Sequence, residues 1–347
     1  MSNRERRARS VLHATIGACV FSLTCFSAAE AKGKFVTFSV EGAISTVARS
    51  VNDRGEIAGS FYKSQTESHG FLRARDGSIA IFDVPGAEGT TEASSINGAG
   101  EITGRYGEYL TGFHCFVRAT DGAITPFDPP NANGIIDLPK INAAGTVVGW
   151  YEIGLVDHSY LRTSDGTITV FDAPDAGSGL DQGTRAVDVN KKGEITGTYM
   201  DQAGVSHGFL RSTNGAIAEF DIPGAVTFFV GAINAKAVVA GSLVDETQTA
   251  HGFIRHPNGH FTYFDFPGGA ASAFVESMNA KDEIAGYYYE PDFTTNHGFV
   301  RSADGRLLLF DAPKAKRGTF AASINSKGQI AGSFDDKKFN ASGFLRK

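Results

Sequence analysis

The sequence predicts an all-β fold: a seven-bladed β-propeller of four-stranded blades, its ring closed by the N-terminal strand completing the C-terminal blade. Three observations carry that expectation. Landmark asparagines Asn52, Asn97, Asn142, Asn190, Asn234, Asn279 and Asn325 lie 45, 45, 48, 44, 45 and 46 residues apart. A period of about 40–45 residues built from short β-type runs is the signature of a four-stranded blade. The two chain ends hold complementary parts of one repeat.

Each repeat has the same parts. An Asn-x-x-Gly turn is led by Asn52, Asn97, Asn142, Asn190 and Asn325, while Asn234 and Asn279 have Ala237 and Asp282 where Gly is expected. A His-Gly-Phe-Leu-Arg-like run starts at His69, His114, His158, His207, His251 and His297. It closes on Arg73, Arg118, Arg162, Arg211, Arg255 and Arg301. Phe-Asp-x-Pro follows at Phe82, Phe127, Phe171, Phe220, Phe264 and Phe310.

The second repeat shows the expected order. Strand a covers Thr91–Ile96, the Asn97 turn follows, strand b covers Glu101–Tyr106, and strand c covers His114–Ala119. Asp121-Gly122 then marks a tight hairpin, expected as a type I′ turn, before strand d at Ala123–Phe127. Proline stops strand d because it cannot donate to a ladder, which suits an outer edge. The last repeat ends within strand c at Gly343-Phe344-Leu345-Arg346. Phe35-Val36-Thr37-Phe38 aligns with an isolated strand d, so it supplies the missing part.

Residues 1–31 read as a secretory signal peptide. Arg4, Arg6, Arg7 and Arg9 form a basic n-region, Val11–Ala29 is apolar, and Ala29-Glu30-Ala31 is a small-x-small cleavage site. An anchored N-terminal helix is the alternative, given the length of the apolar run. Cleavage removes four basic and two acidic residues, taking the net charge from −6 to −8. That charge disfavours nucleic acid, which needs a basic footprint. Residues 32–347 form a single domain with one cysteine, Cys115, so no internal disulfide is expected. Export without disulfides fits a bacterial periplasm or exterior. No transmembrane segment is expected in the mature chain, and a monomer is.

The repeat resembles the HAF-repeat proteins, a family of bacterial extracellular proteins named for a His-Ala-Phe motif. His69-Gly70-Phe71, His207-Gly208-Phe209, His251-Gly252-Phe253 and His297-Gly298-Phe299 carry the resemblance, with Gly in place of Ala and Ser342 in place of His in the last repeat. It implies export and a propeller-like fold, and it brings no reaction with it.

Chemistry is sparse. Histidines spread around a ring cannot converge on one metal, so His, Arg and Asp of each repeat are expected to tie strands together. There is no nucleophile elbow, phosphate loop or zinc motif, and neither catalytic residues nor a cofactor is expected. Both tight turns fall on one face, so the longer b–c and d–a connections share the other, and such loops are the usual carriers of binding. Counting back five residues from each asparagine gives Val47, Glu92, Asp137, Arg185, Phe229, Phe274 and Phe320 at the start of strand a. Arg105, Trp150 and Tyr287 end strand b on that face. Glu92, Arg105, Asp137, Trp150 and Arg185 are expected as the charged side of a central pocket, and Phe229, Phe274, Tyr287 and Phe320 as its aromatic side. The competing expectation is that they fill seams between blades. The function expected is an exported, non-enzymatic binding module for a saccharide or protein. A polysaccharide hydrolase or lyase using Glu92 with Asp137 or Glu152 is the alternative.

Overall fold

Each repeat folds as an antiparallel meander of the four strands a to d. The computed structural model describes residues 29–30, 33–87, 89–108, 112–132 and 136–347. The expected signal peptide, with Cys19 and Cys25, lies outside the described residues except for the Ala29–Glu30 backbone, which pairs in parallel with Leu307–Phe310. Among the described residues no helix is long and apolar enough to cross a membrane. The architecture is all-β and of the β-propeller type.

The Asn52 repeat shows the pattern. Ser45–Val51 pairs with Ile57–Tyr62, which pairs with Ser68–Arg73, which pairs with Ile79–Phe82. In the Asn325 repeat, Gly318–Ile324, Ile330–Asp335 and Ala341–Arg346 form strands a to c. Phe35–Phe38 lies antiparallel on Ala341–Arg346 in the place of strand d, with Val36 opposite Leu345.

The conserved-looking spacing has mechanical causes. The phenylalanines following His-Gly, among them Phe71, Phe209, Phe253 and Phe299, are fully buried. The glycine before each lies under the strand-d phenylalanine: a Cβ on Gly208 would come within 2.2 Å of the Phe220 ring. The arginine ending strand c stacks on the strand-d phenylalanine of the preceding repeat, as Arg118 does over Phe82 at 5.0 Å and Arg211 over Phe171 at 4.6 Å. Such guanidinium–ring contacts are worth about 0.5–2 kcal/mol as they lose water. Each histidine turns Nδ1 to the aspartate of its own Phe-Asp, from 2.5 Å at His251–Asp265 to 3.0 Å at His297–Asp311. Strands c and d are thereby clamped.

Around the axis, neighbouring repeats are joined by the landmark asparagines. Asn52 Nδ2 donates to the Asn97 carbonyl, Asn97 to Asn142, Asn142 to Asn190, Asn190 to Asn234, Asn279 to Asn325, and Asn325 to Asn52. Asn234 is the exception and donates to Asp282 Oδ1. Asn Oδ1 also caps its own turn by accepting from the amides two and four residues on. The turn needs positive φ at its fourth residue, which Gly55 supplies at 81°, whereas Ala237 and Asp282 adopt 58° and 65°.

Three expectations need correction. The Asp-Gly hairpins are not type I′. Ala74 N donates to Ser78 O and Gly77 N to Ala74 O, with positive φ at Gly77 and not at Asp76. This is a three-residue loop with a glycine bulge, which needs only one left-handed residue. Strand d of the Asn234 repeat does not stop at proline: Phe261–Ala270 runs through Pro267, because Gly268 and Gly269 at φ 79° and 75° let Ala270 return to pair with Ala250. Strand a of the Asn142 repeat is reduced to Lys140–Ile141 plus the isolated Ile136–Tyr151 bridge, Pro139 having no amide to donate.

Candidate binding site

The innermost strand carries a bulge in most repeats, and the bulge shapes the channel. Register shifts between Ala48 and Ser50, Ala93 and Ser95, Val275 and Ser277, and Ala321 and Ser323 leave Arg49, Ser94, Glu276 and Ala322 as the extra residues. An inserted residue is unpaired and turns its side chain away from the regular alternation. Arg49, Ser94, Val187, Gly231, Glu276 and Ala322 accordingly line a cavity of about 260 Å³ together with Asp137, Lys140, Phe229 and Phe274.

The residue after the bulge links repeats. Ser50 Oγ accepts from Ile96 N, Ser95 Oγ from Ile141 N, Ser277 Oγ from Ile324 N, and Ser323 Oγ from Val51 N. Two repeats break the series together. Lys140 has no acceptor to offer Val189 N, and Asp188 accepts that amide itself at 2.9 Å while its other oxygen accepts from Ile233 N at 2.9 Å. Burial pushes the Asp188 carboxyl up to about 6, against the pull of Lys140 and of these two amides.

The residues expected at the mouth are brought together as two networks. On the charged side, Glu92 is buried, accepts from Tyr62 Oη at 2.6 Å and pairs with Arg105 Nε at 2.9 Å. Burial opposes its charge, yet Arg49, the Tyr62 hydroxyl and Arg105 hold its pKa below the ordinary range. Arg105 also donates to the Ile136 carbonyl and lies 4.3 Å over the Phe113 ring. Trp150 Nε1 donates to Asp137 Oδ2 at 2.8 Å, and Arg185 covers the Trp150 ring at 4.6 Å while pairing with the buried Asp157 at 2.6 Å.

On the aromatic side, Phe229 and Phe274 have ring centroids 6.0 Å apart, Phe274 stacks on Tyr287 at 5.0 Å, and Tyr287 meets Phe320 edge-on at 5.1 Å. Phe229 keeps 54 % of its surface exposed. These four side chains span three consecutive repeats. The charged residues are largely spent on one another, both within and between repeats, and the free surface of the set is concentrated at Phe229.

A larger cavity of about 770 Å³ opens between the Asn52 and Asn97 repeats, lined among others by Tyr62, Gln65, His69, Asp83, Glu92 and Phe113. Exposed apolar side chains gather on the same loop-bearing face. Leu155, Val205, Phe293 and Phe339 sit in b–c connections, and Ile44, Leu180 and Val226 in d–a connections, each about half exposed or more. The other large apolar side chains recorded as exposed away from this face, Ile81 and Val170, lie on strand d at the perimeter.

Arg49, Lys140, Asp188 and Glu276 were not among the residues that sequence reasoning singled out. The available signal was their departure from the Ser, Ala and Gly found at the same two places in other repeats. Counting back five residues from each asparagine passed over them, and the bulge that turns Arg49 and Glu276 toward the channel leaves no mark in that count. Cys115 is a buried free thiol pushed up to about 12 by burial, and it contacts Tyr160 Oη at 3.2 Å. Among the described residues no group of three or more His, Cys, Asp or Glu is placed to share a metal ion.

No family model matches the chain, and no curated protein matches it in sequence. Solved structures do match in fold. The chain superposes on streptogramin B lyase with a TM-score of 0.61 at 12 % identity, covering 90 % of this chain and 98 % of that one. Virginiamycin B lyase from Staphylococcus aureus gives 0.60 at 13 % identity, covering 91 % and 99 %. The β-propeller domain of the Trilobed protease from Pyrococcus furiosus, described as having an open velcro topology, gives 0.57 at 9 % identity, covering 89 % and 94 %. Identities this low convey the fold alone.

Proposed function

We propose that the chain is a seven-bladed propeller closed by Phe35–Phe38, exported through residues 1–31, and that it acts as a non-catalytic binding module of the HAF-repeat type. Its loop-bearing face receives a saccharide or protein. The observation that carries this reading is the crown of exposed apolar side chains at the loop tips, from Leu155 and Leu180 to Phe293 and Phe339. Apolar surface concentrated on one face of a soluble domain marks an interaction site. Ring closure is supported by the Asn325-to-Asn52 hydrogen bond and by the core shared between Ala331 and Leu345 of one end and Val40, Ala48 and Phe71 of the other.

The pairing at the mouth favours binding over hydrolysis. A glycosidase acid needs a raised pKa, and Glu92 is held as a carboxylate by Arg49, Tyr62 and Arg105. Asp137 is engaged by Trp150.

A glycan array probed with the wild type and with a Leu155→Asp/Phe293→Asp/Phe339→Asp variant tests the saccharide version. Signal lost in the variant supports the loop face, and signal kept by it removes the ligand from that face. If neither protein gives signal, the saccharide is excluded and the protein ligand remains. Cross-linking with a photoreactive residue at position 180 in the native exported compartment tests it, and absence of any adduct there contradicts the reading.

A further inference from the structure

The throat of the channel holds charged side chains that make no direct ion pair. Arg49 and Glu276 occupy the bulge position in their repeats, where Ser94, Val187, Gly231 and Ala322 stand in others. Lys140 stands one place further along, where serine is the usual residue. Among the described residues, no donor hydrogen-bonds to the Glu276 carboxylate and no carboxylate lies within ion-pair distance of Lys140 Nζ. The Arg49 Nε is buried and has no acceptor.

These groups still feel one another across the cavity. Burial raises the Glu276 carboxyl, and Lys140 and Arg49 pull against it. Charges in a confined channel that make no direct ion pair are costly unless something with complementary charges fills the gap. The lining offers two cations, Arg49 and Lys140, and the Glu276 carboxylate, Asp137 being engaged by Trp150, while the Phe229 and Phe274 rings add an apolar wall. The cavity, about 260 Å³, is smaller than the roughly 300 Å³ at which drug-sized sites begin. It is too small for an oligosaccharide or a folded peptide segment.

We infer that the throat binds a free α-amino acid with an apolar side chain: its carboxylate against Arg49 and Lys140, its ammonium against Glu276, and its side chain on Phe229 and Phe274. A zwitterion satisfies both signs of charge at once. An arginine–carboxylate contact with a second cation beside it fixes one end, and a carboxylate–ammonium contact fixes the other. This site is separate from the loop-tip surface proposed above, so either can fail without the other.

The test is isothermal titration of the full chain with L-phenylalanine, phenethylamine and 3-phenylpropionate. L-Phenylalanine is expected to bind, and each half-charged analogue to bind about tenfold more weakly or worse, since each loses one charge-assisted contact. Glu276→Gln is expected to bring L-phenylalanine down to the level of 3-phenylpropionate in the wild type. Arg49→Met is expected to bring it down to the level of phenethylamine. Melting temperatures verify that both variants fold, and Lys140→Met replaces Arg49→Met if that protein does not. No binding at millimolar concentration, equal binding of the three compounds, or a zwitterion preference that survives in the charge variants overturns the inference.

Discussion

The Arg73 guanidinium lies 4.8 Å over the ring of Phe38. Arg73 ends strand c of the Asn52 repeat, and Phe38 belongs to the strand that pairs with Ala341–Arg346. The same contact joins Arg346 to Phe310 at 4.8 Å. One contact type therefore links the Asn279 repeat to the Asn325 repeat, and the Asn325 repeat to the Asn52 repeat. If Phe38 works as an ordinary strand-d phenylalanine, Phe38→Ala is expected to destabilise by about 2–4 kcal/mol, as large-to-small core changes do. Phe171→Ala, in mid-chain, should match it within about 1 kcal/mol. Urea denaturation of the two variants makes the comparison, and a negligible effect at Phe38 alone would show that the N-terminal strand is dispensable.

Lys140 and Asp188 depart from the repeat as a pair, and their effects should not add. Asp188→Ser keeps an acceptor for Ile233 N but leaves Val189 N without one, at a cost of about 1–3 kcal/mol. Adding Lys140→Ser supplies a hydroxyl at the place where Ser95 serves Ile141 N, and most of that loss should return. A double-mutant cycle read by chemical denaturation measures the coupling. Additive losses would mean that the two residues are independent.

Ala237 holds a left-handed conformation, φ 58°, that glycine holds in most of the equivalent turns. The strain at a non-glycine residue there is about 1 kcal/mol. Ala237→Gly is expected to raise the melting temperature despite the greater freedom of the unfolded chain. A lowered melting temperature would show that the turn is unstrained.

His297 is set between two carboxylates, Asp311 on Nδ1 and Glu290 on Nε2. The bond to Asp311 raises its pKa, burial opposes, and Glu290 adds to the rise. Because the folded pKa lies above the unfolded one, the stabilisation is fully present below about pH 6.5 and is lost as pH rises through the folded value. The pair is partly exposed, so the effect is about 0.2–1 kcal/mol. His297→Gln should flatten the melting temperature against pH between about 6 and 8. An unchanged slope would remove His297 as its source.

Much of the fold was legible because its causes are local. The period, the Asn-led turns and the stacked Phe-Asp and His-Gly-Phe runs are each dictated by contacts within a repeat or to its immediate neighbour. The hairpin type was not legible, since Asp76-Gly77 suits both a two-residue and a three-residue loop. The mouth residues were located by counting, and Glu92 with Arg105, and Phe274 with Tyr287, do meet. The throat was hidden for a physical reason: the bulge at Arg49 and Glu276 adds one residue to the alternation, and a count to the start of strand a passes over it. The use of Asp157 by Arg185 also depends on side chains from different repeats, which no single repeat reveals.

The ring itself is tested most directly by joining its ends. Val36 lies opposite Leu345 on the strands that would close it. Val36→Cys with Leu345→Cys, in a Cys115→Ser background lacking residues 1–31, places two thiols at directly paired strand positions. Mild oxidation is expected to give an intramolecular disulfide in nearly all molecules, with a monomeric mass and a raised melting temperature. Thiols that stay reduced, or disulfides found only between molecules, would contradict a propeller closed by its own N-terminal strand.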